Sequence, residues 1–551
     1  MSAVSDGLDS HHPNVNSAGT GRLAELLNLR GGQAAAEAPF VIEHREALVY
    51  MLCQAAELEH GIMCQYMFAA YSLKQAAEEG LHPDVVEKVA HWRRTILHVA
   101  TEEMLHLALV QNLLSAIGAA PHLSRPNLPA PPHHFPAGVN LLLEPFGEAA
   151  LEHFIFLERP EGMPYAGAEG IDGLPGDEPA PVIDADDIVP QAQDFATISH
   201  LYRSIEEGFA RLVDKYGEER LFVGPPRAQA TAASFGLPEL VAVTNLASAR
   251  EAIDTILEQG EGARGAWETS HFGQFVAILA EYRAMRAEDP GFDPARPVTF
   301  ATVRRNEYDS SVPRITDPLT ARCTDLFNVS YEILVQVLER YFAHTDETDD
   351  ELATLVRTTH QLMGGVLAPL GGLLTTLPVG EAFPGRNAAP SFEVFYQDDD
   401  LLPHRRSAWI LIEERLRDVA ALIDHIDVGT RTQVGEALQA AQHRLTTIAD
   451  GFATHIAEQA DTQPTELVDD PEVPDERTTP MVFDSTIKPL FRQKDREAMR
   501  FAFDLWSYDD VSKHAAAILQ RVEDGSMPCD GTWSDEQQQT FRTWIDAGMP
   551  A

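Results

Sequence analysis

Apolar residues recur at helical spacing over two long consecutive runs near the start of the chain, about 47 to 76 and 82 to 117. In the second run Ile96, Val99, Leu107, Val110, Leu114 and Ile117 fall on one stripe at about 100° per residue, with Glu103 near its centre and His106 on its flank. In the first run Leu48, Leu52, Ala55, Ala56, Ile62, Met63, Ala70 and Leu73 make the stripe, Glu59 lies at its centre, and Tyr66 follows on the same face. Glu57 projects to the opposite side, as a solvated or surface-paired charge. Gly118 followed by Pro121 stops the second run, so the pattern predicts an antiparallel helix pair.

A third helix is predicted from Ile198 to Lys215, with Ile198, Tyr202, Ile205, Phe209, Leu212 and Val213 on its apolar side. Glu206 lies within that arc and Glu207 outside it. A fourth run, about 247 to 257, turns Ile253, Ile256 and Leu257 inward before Gln259-Gly260-Glu261-Gly262 interrupts it. Glu261 extends the buried row if the helix continues one more turn. Glu258 points nearly opposite, and Glu268 follows a glycine-rich stretch that favours exposure. A new helix starts near Ser270 with His271, Phe275, Ile278 and Tyr282 on one face.

Between these runs the chain is punctuated. Residues 121–136 are dense in proline, 139–158 are ambiguous, and 159–194 are rich in Pro, Gly and Asp, as a surface excursion able to gate a site. Four more helical runs follow, about 317 to 343, 348 to 377, 405 to 427 and 430 to 460, and none carries a Glu-x-x-His. They read as a structural layer on the first helices. An acidic, proline-rich linker then leads to a small Trp-containing helical module.

Carboxylates and imidazoles aimed into a core cost several kcal/mol unless paired. A core histidine hydrogen-bonded to a buried glutamate is one solution, and a shared metal ion is another. Two consecutive helices that each aim a carboxylate inward favour the ion, as in bundles that hold two metals through Glu and Glu-x-x-His residues. The candidate ligands are Glu59, Glu103, His106, Glu206, Glu261 and His271, a hard oxygen and nitrogen set suited to iron, with manganese the other choice. Tyr66 is a hydrogen-bond donor to that set, a radical relay, or a satisfied core tyrosine.

With 551 residues, two or three domains are expected. Lys plus Arg total 41 against 85 for Asp plus Glu, and a net charge of −44 argues against nucleic acid or an anionic membrane as partner. The first residues lack a signal peptide's basic start and apolar centre, so a disordered leader over 1–39 and a cytoplasmic location are expected. Cys53, Cys64, Cys323 and Cys529 show no paired spacing and no C-x-x-C, which argues against a disulfide framework and a thiolate site.

The strings ELEHGIMCQYMFAAYSLK (57–74), EEMLHLALVQNLLSAIGAAP (102–121), LYRSIEEGF (201–209), ILEQGEGA (256–263) and SHFGQF (270–275) resemble the bacterial ferritin-like domain of the iminophenyl-pyruvate dimer synthase type. That domain also forms the C-terminal part of the violacein-pathway dimer synthase, which carries a large further N-terminal region outside the match. The resemblance covers 40–285 well and the helices up to about 430 less specifically.

It implies an all-α fold: a ferritin-like four-helix bundle (40–285), an additional helical region (286–461), a linker (462–485) and a C-terminal module (486–551). The implied activity is a di-iron oxidase or oxygenase acting, with dioxygen or peroxide, on a small organic molecule such as an amino-acid-derived imine. The alternative is a non-catalytic metal-binding or scaffold protein, and a homo-oligomer is compatible with either. In a regular di-iron bundle the fourth helix supplies a compact Glu-x-x-His, whereas Glu261 and His271 here flank a glycine-rich break. Residues 503–550 resemble a small cytochrome c-type fold with its Gly-Ser-Met-Pro stretch, but C-x-x-C-H is missing, so no haem is expected.

Overall fold

The computed structural model describes residues 41–130, 134–135, 141–160, 195, 197–262, 268–300, 302–305, 312–395, 401, 403–462, 482–500, 502–528 and 532–550. The leader expected over 1–39, most of the excursion expected over 159–194 and most of the linker expected over 462–485 lie outside them. The chain divides into two compact units, residues 1–460 and 461–551. Both are helical, and no strand forms among the described residues, where pairing is confined to isolated bridges such as Leu73 with Ala295.

In the first unit α1 (Arg45–Ser72) and α2 (Pro83–Ala116) pack along most of their length. The Arg45 guanidinium at the start of α1 donates to the carbonyl of Ile117 just past the end of α2 (2.6 Å), which makes the pair antiparallel. Pro83 occupies the first turn of α2, where its missing N–H costs nothing. The stretch 139–158, ambiguous in sequence, contains α3 (Glu148–Leu157). Next come α4 (Ile198–Tyr216), α5 (Leu246–Gly260) and α6 (His271–Glu288). Each starts at a side-chain cap: Thr197 for α4, Asn245 with Ser248 for α5, and Ser270 for α6. α4 packs on α1 and α5, α5 on α2, and α3 on α6, which closes a bundle around the inward faces of α1 and α2.

α1 is buried around nearly its whole circumference, Leu58 through Tyr66 without a break. A helix apolar on all sides needs neighbours on all sides. The second set comes from α7 (Pro318–Phe342), α8 (Asp349–Leu362), α9 (Ala368–Leu374), α10 (Arg405–Leu422) and α11 (Thr432–Thr462). The run expected to be continuous over 348–377 is instead interrupted by a π turn, Met363–Leu367. Pro369, two residues into α9, has no N–H to give, so the regular ladder breaks just before it. Arg340 on α7 is buried and paired with buried Glu347 through two bonds, Nε to Oε1 at 2.5 Å and NH2 to Oε2 at 2.7 Å, and Trp409 Nε1 on α10 donates to the same carboxylate at 3.2 Å. That ion pair ties three elements of the layer together.

The second unit holds α12 (Gln493–Met499), α13 (Tyr508–Glu523) and α14 (Asp535–Asp546) around Phe483, Ile487, Phe491, Trp533, Phe541 and Trp544. His514 stacks on Phe503 with ring centroids 4.4 Å apart. Among the described residues of the chain no helix is long and apolar enough to cross a membrane.

Candidate metal centre

Glu59 on α1 and Glu103 and His106 on α2 meet where the two helices face α3, α4 and α5. His271, the first residue of α6, enters from the side, and all four are almost wholly buried. Glu103 sits between the imidazoles: Oε2 lies 3.0 Å from His106 Nδ1 and Oε1 lies 2.8 Å from His271 Nδ1. A second carboxylate stands behind each ring. Glu59 Oε2 is 3.5 Å from His106 Nδ1, and Glu158 Oε1 is 3.7 Å from His271 Nδ1. A tyrosine hydroxyl then donates to each of those outer carboxylates, Tyr202 to Glu59 and Tyr66 to Glu158. The order Tyr202, Glu59, His106, Glu103, His271, Glu158, Tyr66 is therefore the same read from either end.

The far nitrogens of both rings are engaged. His106 Nε2 faces Gln259 Oε1 at 2.9 Å and His271 Nε2 faces Glu102 Oε2 at 3.1 Å. Donation from Nε2–H to these oxygens would leave both Nδ1 lone pairs for a metal ion, whereas without one His106 Nδ1–H donates to Glu103 Oε2 at 3.0 Å. Although His271 Nδ1 and Glu103 Oε1 are only 2.8 Å apart, their alignment satisfies neither atom with a hydrogen bond. Two ligand atoms at right angles on one ion, each about 2.1 Å from it, stand about 3.0 Å apart without bonding each other. Glu103, His106 and His271 offer ligand atoms all within 4.8 Å of one another.

The electrostatics call for a cation. Glu158 caps the C-terminus of α3 and Glu261 that of α5, so two carboxylates occupy the negative ends of helix dipoles. Burial pushes the Glu59 carboxyl up, and the Glu103 charge adds to it, raising its pKa to about 7. Burial disfavours the His106 imidazolium, but Glu103 and Glu59 outweigh it and raise its pKa to about 10. His271 is likewise raised, with Glu103 the main opposing charge to its burial. Burial would raise Glu103 too, yet the two imidazoles hold it below the usual carboxylate range. Without a metal the cluster neutralises itself with protons on its histidines. A space of about 20 Å3 lies among Glu59, Glu103, His106, Glu158, Tyr202 and Glu261, above the ~10–15 Å3 that one water requires.

Two of the expected residues are placed otherwise. Glu206 lies on the outer side of α4, a third exposed, with its carboxylate 3.2 Å from Arg250 on α5. Tyr202, one turn earlier, takes the inward position, because the helix turns its aromatic residue to the core and leaves the carboxylate to water. Glu261 follows the last residue of α5, where its N–H still donates to Leu257 (3.0 Å), and it lines the same space. Its carboxylate is turned to Ser199 Oγ (2.7 Å) and Arg203 NH2 (2.8 Å). Glu258 and Glu268 are exposed.

Glu158 was missed by the helical reading. It ends the apolar cluster Phe154 to Leu157 one turn after Phe154, so the stripe itself pointed to it. Gly260 makes room for it, since a Cβ there would stand 3.3 Å from Glu158 Oε2.

The Ferritin-like family profile matches residues 52–280, which hold most of α1, all of α2 to α5, the first part of α6 and every residue of this cluster. Residues 52–280 are a ferritin-like domain. Over 391 residues the chain is 29% identical to dichlorochromopyrrolate synthase of Lentzea aerocolonigenes, a match covering 64% of this chain and 36% of that protein. It is 26% identical over 393 residues to 2-imino-3-(indol-3-yl)propanoate dimerase of Chromobacterium violaceum, covering 65% of this chain and 35% of the other. The chain thus matches about a third of the length of these relatives. A ferritin-like protein of Caulobacter vibrioides superimposes at a TM-score of 0.35 with 18% identity, covering 59% of this chain and 98% of that one. Ferritin-like domains typically bind iron, and the paired Glu and His residues fit that ion.

Proposed function

We propose that the ferritin-like domain holds two iron ions, or two manganese ions, and oxidises a small organic substrate. The observation that carries this reading is Glu103, whose two oxygens each face a different imidazole Nδ1, at 3.0 and 2.8 Å. A carboxylate so placed would be available to two ions, one beside each imidazole. Glu59 and His106 would hold one of them, Glu158 and His271 the other, and Glu261 would join after leaving Ser199 and Arg203. When bound, such a pair supplies electrons to dioxygen or peroxide.

The rest is done by the chain itself. Tyr202 and Tyr66 fix the outer carboxylates by donating to them, and burial together with the neighbouring carboxylates keeps both phenols protonated. Gln259 and Glu102 fix the ring tautomers. Arg203, 43% exposed on its side chain and 2.8 Å from Glu261, which lines the space, presents a guanidinium with which a substrate carboxylate can pair. The name of the Chromobacterium violaceum relative contains an indole-bearing imine, so the substrate class is an imine of an indole-containing amino acid.

Metal content per chain, by elemental analysis of wild type and a Glu103→Ala/His106→Ala variant purified alongside, tests the centre. About two ions in wild type and few in the variant are expected. Dioxygen uptake by the reduced iron form, coupled to loss of the imine, tests the activity. Many irons per chain in a cage-like assembly would instead identify a store, and no metal after reconstitution would remove the reading.

A further inference from the structure

A second cavity in the first unit is much larger than the space at the metal centre. It encloses about 420 Å3 between the α1/α2 pair and the layer made by α7, α8 and the π turn. Three neighbouring pairs place it back to back with the metal cluster: Glu59 faces the cluster and His60 the cavity, Glu103 and Met104 divide likewise, and so do His106 and Leu107. Its mouth lies at the exposed residues Thr101, His360 and Gly364.

The walls are rings and thioethers. Phe327, Tyr331 and Phe392 pack edge to face on one side, with Phe392 5.1 Å from Phe327 and 5.4 Å from Tyr331. Met63, Met67, Met104 and Met363 line other parts and can adapt to an occupant's shape. The polar atoms of the wall are mostly spent within the protein. His60 Nδ1–H donates to the Leu123 carbonyl at 2.8 Å, and its Nε2 accepts from the Tyr331 hydroxyl, which also accepts from Arg125 at 3.3 Å. Thr101 and Thr359 donate to the Leu97 and Leu355 carbonyls. Among the lining residues there is no Asp, Glu, Lys or Arg, and of the two histidines His60 has both ring nitrogens engaged within the protein while His360 lies at the mouth.

Water gains few partners in such a space, and leaving it empty forfeits packing. A cavity of roughly 150 Å3 with apolar walls takes benzene. This one is nearly three times larger.

We propose that this cavity is a binding site, separate from the metal centre, for a neutral, apolar small molecule of two or three linked or fused rings. The inference stands on the cavity alone and does not depend on the metal reading. An occupant would press on the same turns of α1 and α2 that carry Glu59, Glu103 and His106.

The test is fluorescence titration of the full-length protein with N-phenyl-1-naphthylamine, a neutral three-ring probe. One saturable site per chain is expected. The anionic analogue 8-anilinonaphthalene-1-sulfonate should bind at least about tenfold more weakly, because its charge finds no partner inside. Gly364→Leu, where an added Cβ meets nothing within 4 Å, should weaken the neutral probe by about tenfold or more by filling the mouth. Ala108→Phe should do the same from the α2 wall. Circular dichroism confirms that each variant is folded, and the mouth variant decides the matter if the wall variant is not. No saturable binding, several equivalent sites, equal affinity for the sulfonate, or affinity indifferent to Gly364→Leu would each overturn the proposal.

Discussion

Replacing Glu59 with Gln should stabilise the metal-free protein while costing it metal. In the fold this carboxyl ionises near 7, against an ordinary 4.5, because it is buried and faces Glu103. A raised carboxyl pKa means that the native state holds its proton longer than the unfolded chain does. Its stability contribution is therefore complete below about pH 4.5 and is lost as pH climbs to 7, a loss of about 3 kcal/mol at about 1.4 kcal/mol per pH interval. Gln keeps the carbonyl that accepts from Tyr202 and removes the titration.

The expected result, by urea unfolding with excess chelator, is near-equality of wild type and variant at pH 4.5 and a gain of about 2–3 kcal/mol for the variant at pH 8. In the same preparation without chelator, metal content should fall. A variant less stable than wild type at pH 8, or a gain identical at both pH values, would refute the account of the Glu59 environment.

Filling the centre should release protons from His106, whose pKa is about 10 without metal, and from His271, also raised. Affinity for a pair of ions should then climb with pH at about two protons per chain between pH 7 and 9, with a third from Glu59 below 7. Calorimetry in buffers of different ionisation heat counts them, and none released would contradict the arrangement. Glu206→Ala should leave metal content unchanged, since that residue faces Arg250, whereas Glu158→Ala should lose about half of it; elemental analysis of both decides between the two carboxylates. Glu347→Ala should cost about 3–5 kcal/mol in urea unfolding, because it leaves the Arg340 guanidinium buried without its carboxylate.

The helices were legible because each carries its own stripe and stop signals. Gly118 ended the second run within two residues of the observed end of α2, and Ser270 capped α6 where the pattern began it. The π turn before α9 was less so, since its apolar residues continue the helical period straight through Pro369. Within the cluster, Glu59, Glu103, His106 and His271 were each marked by an ionisable residue inside an apolar stripe. Glu206 met the same criterion and lies outside, because an arc of α4 wide enough to include it extends past the buried face to Arg250. Glu158 sat in a short segment whose helical state the sequence left open.

By itself, then, the sequence determined where most of the long helices lie, that α1 and α2 each send carboxylate or imidazole inward, and that the set suits iron or manganese. Those are local properties: a helix's period places its residues relative to one another whatever surrounds it. Only the tertiary structure decided which inward residues meet. The pairing of His271 with Glu103, the recruitment of Glu158 from the end of α3 and the exclusion of Glu206 depend on how separate helices are rotated and docked. So does the cavity behind the cluster, whose two walls are more than two hundred residues apart in the chain and are joined only by packing.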